Sequence, residues 1–109
     1  MLLNQILALS VALALPVTAF ADEPVRLAIK GHRFVPAQIT APAGTRFRLA
    51  VTNQDATPSE FESHDLRAEK VIVGGGTITV MAGPLQPGTY RFKDDYHPAT
   101  AGTLVVTGP

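Results

Sequence analysis

The sequence predicts an all-β fold, a sandwich or barrel and in particular a Greek-key β-sandwich of about seven or eight short strands. Apolar and polar residues alternate in short runs, which is typical of half-buried strands. Clusters of Gly and Pro separate these runs. No window sustains an apolar period of 3.6 residues, although residues 65–71 have room for one short turn of helix.

Residues 1–21 have the pattern of a secretory signal. They contain no acidic residue, run through an apolar stretch and end in Ala19-Phe20-Ala21, a small-x-small cleavage pattern, although no Lys or Arg precedes the apolar run. A membrane anchor is the alternative, but Pro16 interrupts the run, which is shorter than the roughly 20 residues that span a bilayer. We therefore expect cleavage after Ala21, a periplasmic location without stable membrane insertion, and one domain over residues 22–109.

Composition narrows the classes of partner. The chain has nine Lys plus Arg, nine Asp plus Glu and a formal net charge of zero, so no basic stripe indicates nucleic-acid binding. It has no cysteine, which excludes a disulfide and a thiolate ligand. A domain of this size must then depend on its apolar core, or on that core and a bound metal.

The first half of the domain contains three predicted strands, at residues 24–30, 37–40 and 45–52. Alternation places three apolar side chains of the first strand on one face (Val25, Leu27, Ile29) and three of the last on another (Phe47, Leu49, Val51). Between them, Pro42 and Gly44 predict a tight turn. These faces are the predicted beginning of the core.

The middle of the chain combines a strand signal with acidic residues. Over residues 59–64 a period of two places Glu60, Glu62 and His64 on one face and Phe61 on the other. Alternation returns over residues 66–73 and again over 77–81. The three glycines between these two runs predict a hairpin turn, since the Lys-Ser/Thr of a phosphate-binding loop is missing.

The last third places polar chemistry between two strands. Tyr90 and Phe92 share one face of the strand before it, and Leu104 and Val106 point inward from the strand after it. Between them, three potential ligands or acid-base groups fall within four residues: Asp94, Asp95 and His97. Pro98 and Gly102 predict that this segment is a turn, which would present the three side chains at one end of a sheet.

Several motifs resemble a known family. They are Phe34-x-Pro36, Ala43-Gly44, Asn53-x-Asp55, Leu85-x-Pro87-Gly88-x-Tyr90-x-Phe92, His97 and Gly102-x-Leu104-x-Val106. Together they resemble the cupredoxins, Greek-key β-sandwiches that usually hold copper. A closer similarity, to EfeO-type cupredoxin-like domains of bacterial periplasmic iron uptake, rests on Glu60-Phe61-Glu62-Ser63-x-Asp65-Leu66, Glu69-Lys70-Val71-Ile72 and Phe92-x-Asp94-Asp95-Tyr96-His97-Pro98.

The chain departs from blue-copper cupredoxins at the metal ligands. The resemblance places Asp94 where those proteins have Cys, His97 at the second His position and Thr100 near the Met position. The first His position falls on Ser59 or Glu60. Without the thiolate, the chain lacks the soft ligand of a type 1 copper site.

The resemblance implies a metal site rich in oxygen ligands. Its predicted ligands are Glu60, Glu62, Asp94, Asp95 and His97, of which Glu60, Asp94 and His97 would bind directly and the other two would complete or tune the site. Such a set suits Fe(II), Fe(III), Mn(II) or Cu(II), so the expected cofactor is an iron or copper ion. Gathered carboxylates repel one another unless a cation is near, and Lys93 or Arg91 is the alternative to a metal.

His64 and His32 are weaker candidates for the same site. His64 follows the two glutamates on their face only if the strand continues without a bulge, and His32 precedes Phe34 in a loop and fits a surface position better.

Three functions compete at this point. The first is a periplasmic accessory of ferrous iron uptake that holds iron or copper and passes iron to an inner-membrane iron permease, beside another periplasmic iron-binding protein. Because carboxylates favour Fe(III), ferroxidase-type activity is a variant of it, although binding and transfer is the expectation. The second is a periplasmic copper carrier or electron-transfer cupredoxin without a type 1 site, and the third is an interaction sandwich that has lost its site.

Overall fold

In the computed structural model the described residues are 23–108, and over this range every regular element is a strand. The nine strands are β1 (Val25–Ile29), β2 (Phe34–Val35), β3 (Gln38–Pro42), β4 (Phe47–Asn53), β5 (Ser59–Ser63), β6 (Ala68–Ile72), β7 (Thr77–Ala82), β8 (Gly88–Asp94) and β9 (His97–Thr107). The prediction of an all-β fold is confirmed. The added strand is β2, a two-residue pairing that is too short to show a periodic pattern.

The strands form two sheets. One has the order β2-β1-β4-β7 and the other the order β3-β9-β8-β5-β6. β1 pairs in parallel with β4, and β3 with β9, whereas the remaining pairs are antiparallel. Because consecutive strands often belong to different sheets, the chain crosses repeatedly over the core, as in a Greek-key sandwich.

The core lies between the inner faces of the two sheets. The inward residues predicted from alternation are buried: Leu27, Ile29, Phe47, Leu49, Val51, Phe61, Phe92, Leu104 and Val106. Toward one end, three aromatic rings pack together. The centroid of Phe92 lies 4.9 Å from that of Phe34 and 5.4 Å from that of Phe61. This phenylalanine cluster anchors β2, β5 and β8, the strands nearest the predicted ligands.

The predicted turn around Pro98 and Gly102 is wrong. The chain reverses at Asp95 and Tyr96, and β9 already begins at His97 and runs through both residues. The ladder is irregular here, because Lys93 pairs with Ala101 while its neighbour Asp94 pairs with His97. Residues 98–100 of β9 lie between these two pairs and form a bulge. The bulge accommodates Pro98, which has no N–H to donate to the neighbouring strand.

The predicted hairpin at Gly74–Gly76 is also wrong. β6 belongs to the five-stranded sheet and β7 to the four-stranded sheet, so these glycines carry the chain from one sheet to the other. Gly75 adopts a φ of 76° and donates its N–H to the Asn53 carbonyl. Residues 64–67 form a turn closed by the Arg67 N–H and the His64 carbonyl, so the short helical turn considered for residues 65–71 does not form.

The predicted signal segment, with cleavage after Ala21, lies outside the described residues and stays a prediction. Within residues 23–108 there is no helix with the length and apolar character needed to cross a bilayer.

Candidate metal centre

Pairing between β5 and β8 brings the two acidic stretches of the sequence together. Phe61 lies opposite Asp94 and Glu62 opposite Lys93, and the Asp95 N–H donates to the Glu60 carbonyl at 2.9 Å. Alternation along β5 turns Phe61 into the core and the two glutamates to the outer face of the five-stranded sheet. The predicted ligands then separate into two groups.

The first group is a set of carboxylates on the outer face, called here the outer carboxylate cluster: Glu60, Glu62 and Asp95. One carboxylate oxygen of each lies within 4.8 Å of those of the other two. Glu60 and Glu62 are half-buried and Asp95 is exposed. Three oxygens at this separation need modest movement to share a cation, so three of the five predicted ligands are already assembled.

The pKa values of two carboxyl groups in the cluster are raised, in part by their neighbouring carboxylates. Burial raises the pKa of Glu60, and the nearby carboxylates of Glu69 and Asp95 raise it further. The pKa of Glu62 is raised first by a hydrogen bond with Asp95, which favours a shared proton, and then by burial. A cation bound between these groups would relieve the repulsion that raises both pKa values.

Lys93 supplies part of that positive charge. Its Nζ lies 3.5 Å from Asp95 Oδ1 and 3.9 Å from Glu62 Oε2. Lys93 is therefore in contact with the cluster, as the alternative to a bound metal requires. One lysine against three carboxylates leaves the cluster with excess negative charge.

The second group is built around Asp94, which is fully buried. Its Oδ1 accepts the N–H groups of Glu60 at 2.9 Å and Tyr96 at 3.0 Å, and its Oδ2 lies 2.9 Å from His97 Nδ1. Because an ionised carboxylate only accepts hydrogen bonds, His97 donates from Nδ1 and keeps Nε2 as its free ring nitrogen. Asp94 thus organises the β8–β9 hairpin from inside.

These contacts keep Asp94 ionised. Burial alone would raise the pKa of the Asp94 carboxyl, but contacts with Ser59, the Glu60 N–H, His97 and the Tyr96 N–H together lower it. The buried Ser59 hydroxyl contributes although it has no hydrogen bond of standard geometry among the described residues. An anion with most of its lone pairs engaged in this way has little capacity left for a metal.

A type 1 copper ion does not fit these residues. The chain has no cysteine, and the carboxylate at the cysteine position is buried and occupied by hydrogen bonds. Ser59 and Glu60, on one of which the resemblance places the first His, offer a buried hydroxyl and a half-buried carboxylate instead of an imidazole. Imidazole and thiolate, which define that kind of site, are therefore missing at two of its positions.

His97 is not brought to the outer carboxylate cluster, although it was predicted as a ligand beside Glu60. Its ring packs on that of His32 instead, with centroids 4.1 Å apart. His64 lies in the turn after β5 and is exposed, so the alternation that would have placed it beside Glu62 ends at Ser63.

Sequence reasoning missed Glu69, which faces the outer carboxylate cluster. It pairs directly with Glu62 in the β5–β6 hairpin and raises the pKa of Glu60. If the register of the β5–β6 hairpin were derived from the turn at residues 64–67, it would place Glu69 opposite Glu62. No local signal points to the meeting of His32 and His97, because they are distant in sequence.

Comparison with known proteins identifies the family. Residues 4–106 match the cupredoxin-like domain family. The uncharacterized protein RP394 of Rickettsia prowazekii (strain Madrid E) is 40% identical over 82 residues, which are 75% of this chain and 66% of that protein. The match thus spans just under two thirds of the relative's length.

Solved structures share the fold at low sequence identity. A purple cupredoxin from Nitrosopumilus maritimus superposes with a TM-score of 0.64 at 18% identity, covering 75% of this chain and 98% of its own. Amicyanin from Paracoccus versutus superposes with a TM-score of 0.64 at 13% identity, covering 80% and 84%. With the family match over nearly the whole chain, these likenesses lead to one conclusion: the protein belongs to the cupredoxin-like domain family.

Proposed function

We propose that this protein binds a hard metal ion at the outer carboxylate cluster, and that iron is its physiological cargo. The observation that carries the proposal is the gathering of Glu60, Glu62 and Asp95 within 4.8 Å, from two paired strands. Carboxylate oxygens suit Fe(II), Fe(III) and Mn(II) better than Cu(I), which prefers sulfur ligands. The pKa of Glu60 is raised first by burial and that of Glu62 first by a hydrogen bond with Asp95, and neighbouring carboxylates raise both further. A bound cation would relieve this last contribution, which adds support.

The exposure of the cluster favours transfer over permanent storage. Asp95 is exposed and Glu60 and Glu62 are half-buried, so water and a partner's ligands can reach a bound ion. Lys93 lies beside two of the three carboxylates and can take the place of the departing ion. A site with its own replacement cation gives up a metal at low electrostatic cost.

The cellular role we propose is that of a periplasmic accessory of ferrous iron uptake. The chain would pass iron to an inner-membrane iron permease and work beside another periplasmic iron-binding protein. The signal-like residues 1–21 and the likeness of Glu60-Phe61-Glu62-Ser63 and Asp94-Asp95-Tyr96-His97 to EfeO-type domains support this role. The competing role is that of a periplasmic copper carrier or electron-transfer cupredoxin without a type 1 site. It has less support, because the gathered carboxylates suit harder ions than Cu(I).

The first test is anaerobic titration of the purified chain with Fe(II) and with Mn(II), followed by calorimetry. We expect the variant Glu60→Gln/Glu62→Gln/Asp95→Asn to bind at least about tenfold more weakly, a change of about 1.4 kcal/mol or more. Glu23→Gln removes a carboxylate elsewhere and should bind like the wild type. Equal affinity in the triple variant, or no binding by the wild type, would reject the proposal.

The second test uses the competing cation. Lys93→Met keeps the length of the side chain and removes its charge, so we expect tighter binding of Fe(II) and Mn(II) than in the wild type. If Lys93 merely neutralises a surface that binds no metal, the same variant shows no gain in affinity. The two tests change the cluster's charge in opposite directions, which separates a metal effect from general damage to the fold.

A further inference from the structure

Two of the three histidines meet beside the β8–β9 hairpin, and neither belongs to the outer carboxylate cluster. The ring centroids of His32 and His97 are 4.1 Å apart and the ring planes are inclined by 34°. Their side chains are 49% and 32% exposed, so both rings border solvent. An open depression of about 710 Å³ adjoins them, with Tyr96, Pro98 and Thr100 among its walls.

The backbone of His32 is held in an unusual conformation that aims its ring at His97. Its φ is 56°, in the left-handed region that residues with a Cβ seldom adopt. The Asp55 carboxylate accepts the N–H groups of Gly31 at 2.7 Å and His32 at 2.9 Å. From the other side, Thr100 Oγ1 donates to the His32 carbonyl at 2.5 Å. The loop is thus fixed by β9 and by the turn after β4.

Each imidazole has a carboxylate nearby, and that of His97 lies within hydrogen-bond distance of Nδ1. His97 Nδ1 lies 2.9 Å from Asp94 Oδ2, and His32 Nδ1 lies 3.7 Å from Asp55 Oδ2. Both carboxylates are themselves held by backbone N–H groups. Because Asp94 engages Nδ1–H of His97, that ring presents a more basic Nε2, which is the usual arrangement behind a metal-ligating histidine. Asp55 positions His32 through the backbone N–H instead.

We propose that His32 and His97 form a second metal site, separate from the outer carboxylate cluster, that takes a borderline divalent ion through two Nε2 atoms. Imidazole nitrogens suit Cu(II) and Zn(II), and the open depression leaves room for water as the remaining ligands. This site needs no thiolate and no contribution from Asp94 as a ligand. Asp94 and Asp55 act as positioning residues that orient the two rings.

The experiment uses Cu(II) as the probe and pulsed electron paramagnetic resonance as the readout, on the untagged chain. The background variant Glu60→Gln/Glu62→Gln/Asp95→Asn removes the outer carboxylate cluster, so copper held there does not contribute. We expect the spectrum to show couplings from the remote nitrogens of two imidazoles. His32→Ala and His97→Ala should each lose one of the two imidazole couplings. His64→Ala, which changes the third histidine, should keep both.

The positioning residues give an independent readout. Asp55→Asn should lower Cu(II) affinity by about 10- to 100-fold while the two imidazole couplings persist at saturating copper. The proposal is overturned if spectra of the background variant show fewer than two imidazoles, or if His64→Ala changes them as much as His32→Ala does. Because the cluster variant is the background, failure here leaves the iron-binding proposal standing, and failure of iron binding leaves this site standing.

Discussion

The Asp94 carboxylate, which the resemblance places at the cysteine position of blue-copper cupredoxins, works as a buried anion inside the hairpin. Two N–H groups and one imidazole converge on it from Glu60, Tyr96 and His97. Hydrogen bonds to a charged acceptor are among the stronger polar contacts in proteins, about 1.5–3 kcal/mol each. Asp94 is thus a local organiser of β8 and β9.

Asp94→Asn should destabilise the protein by about 1–3 kcal/mol at neutral pH, because an amide N–H group would face buried donors. The folded-state pKa of Asp94 is lowered, so its stabilisation is complete above the ordinary aspartate pKa and is lost as pH falls through the folded value. Urea denaturation across the acid range should show this loss below about pH 4 in the wild type and a smaller loss in the variant. Asp95→Asn, on the exposed neighbour, should keep the wild-type stability at neutral pH; an equal effect from both substitutions would contradict the role of Asp94.

Glu60→Gln should raise the melting temperature of the metal-free protein at neutral pH. The folded-state pKa of Glu60 is raised. Its contribution to the free energy of unfolding is therefore fully present below the ordinary glutamate pKa, and it is lost as pH rises through the folded-state pKa. The variant's advantage should therefore disappear below about pH 4, where the wild-type carboxyl is protonated in both states. Thermal melts in chelator at several pH values measure this, and a variant less stable than wild type at neutral pH would count against repulsion in the cluster.

At the scale of elements, the β8–β9 hairpin places both candidate sites. Its two-residue reversal at Asp95 and Tyr96 puts Asp94 opposite His97, and the bulge that follows restores pairing from Ala101 onward. Farther along, Gly102 pairs with Phe92, the central ring of the phenylalanine cluster. The absence of a side chain at Gly102 lets that ring approach the β9 backbone closely.

Gly102→Ala should destabilise the fold by about 1–3 kcal/mol through overpacking. A Cβ at this position would lie 2.5 Å from Phe92 Cε2 and 2.9 Å from the Ala37 carbonyl oxygen. Ala101→Val adds volume on the exposed side of the same strand and should change stability by no more than about 0.5 kcal/mol. Chemical denaturation of both variants measures the free energy of unfolding. Similar losses of stability from the two substitutions would show that any added volume in this strand is destabilising, whether or not it contacts the ring.

At the scale of the whole molecule, Asn53 joins the two sheets. It is fully buried at the end of β4, and its side-chain amide donates to the carbonyls of Thr57 at 2.8 Å and Ile72 at 3.1 Å. Its Oδ1 accepts the Asp55 N–H, and its backbone pairs with Gly75 and Gly76. The same residue therefore connects the four-stranded sheet, the end of β6 and the turn that holds Asp55 against His32.

Asn53→Ala should cost on the order of 3 kcal/mol, because it leaves buried backbone groups of several elements without partners. Thr52→Ala is the control, since its hydroxyl shares a solvent-exposed hydrogen bond with Thr77. Hydrogen exchange should show lost protection of the Asp55 N–H, which donates to Asn53 Oδ1, in the Asn53 variant and not in the control. Unchanged stability would mean that water replaces the amide at this junction.

Alternation was sufficient to predict most strands and their inner faces. Phe47, Leu49 and Val51, for example, are all fully buried as the period of two requires. The turns were less predictable, since Gly74–Gly76 and Pro98 signal a break in regular structure without stating which sheet the next strand joins. Pro98 lies in a bulge inside β9, where pairing with β8 overrides its local preference.

By itself, the sequence determined the β-sandwich class, the inner faces of its strands and the residue types able to hold a metal, because these depend on local periodicity and side-chain chemistry. Only the tertiary structure decided how the predicted metal ligands are divided between the outer carboxylate cluster and the group around Asp94. Register between β5 and β8 gathers Glu60, Glu62 and Asp95 outside, buries Asp94 as a hydrogen-bonded anion, and turns His97 toward His32. Such division depends on which strands pair and where a bulge falls, and both are set by long-range packing that no local pattern encodes.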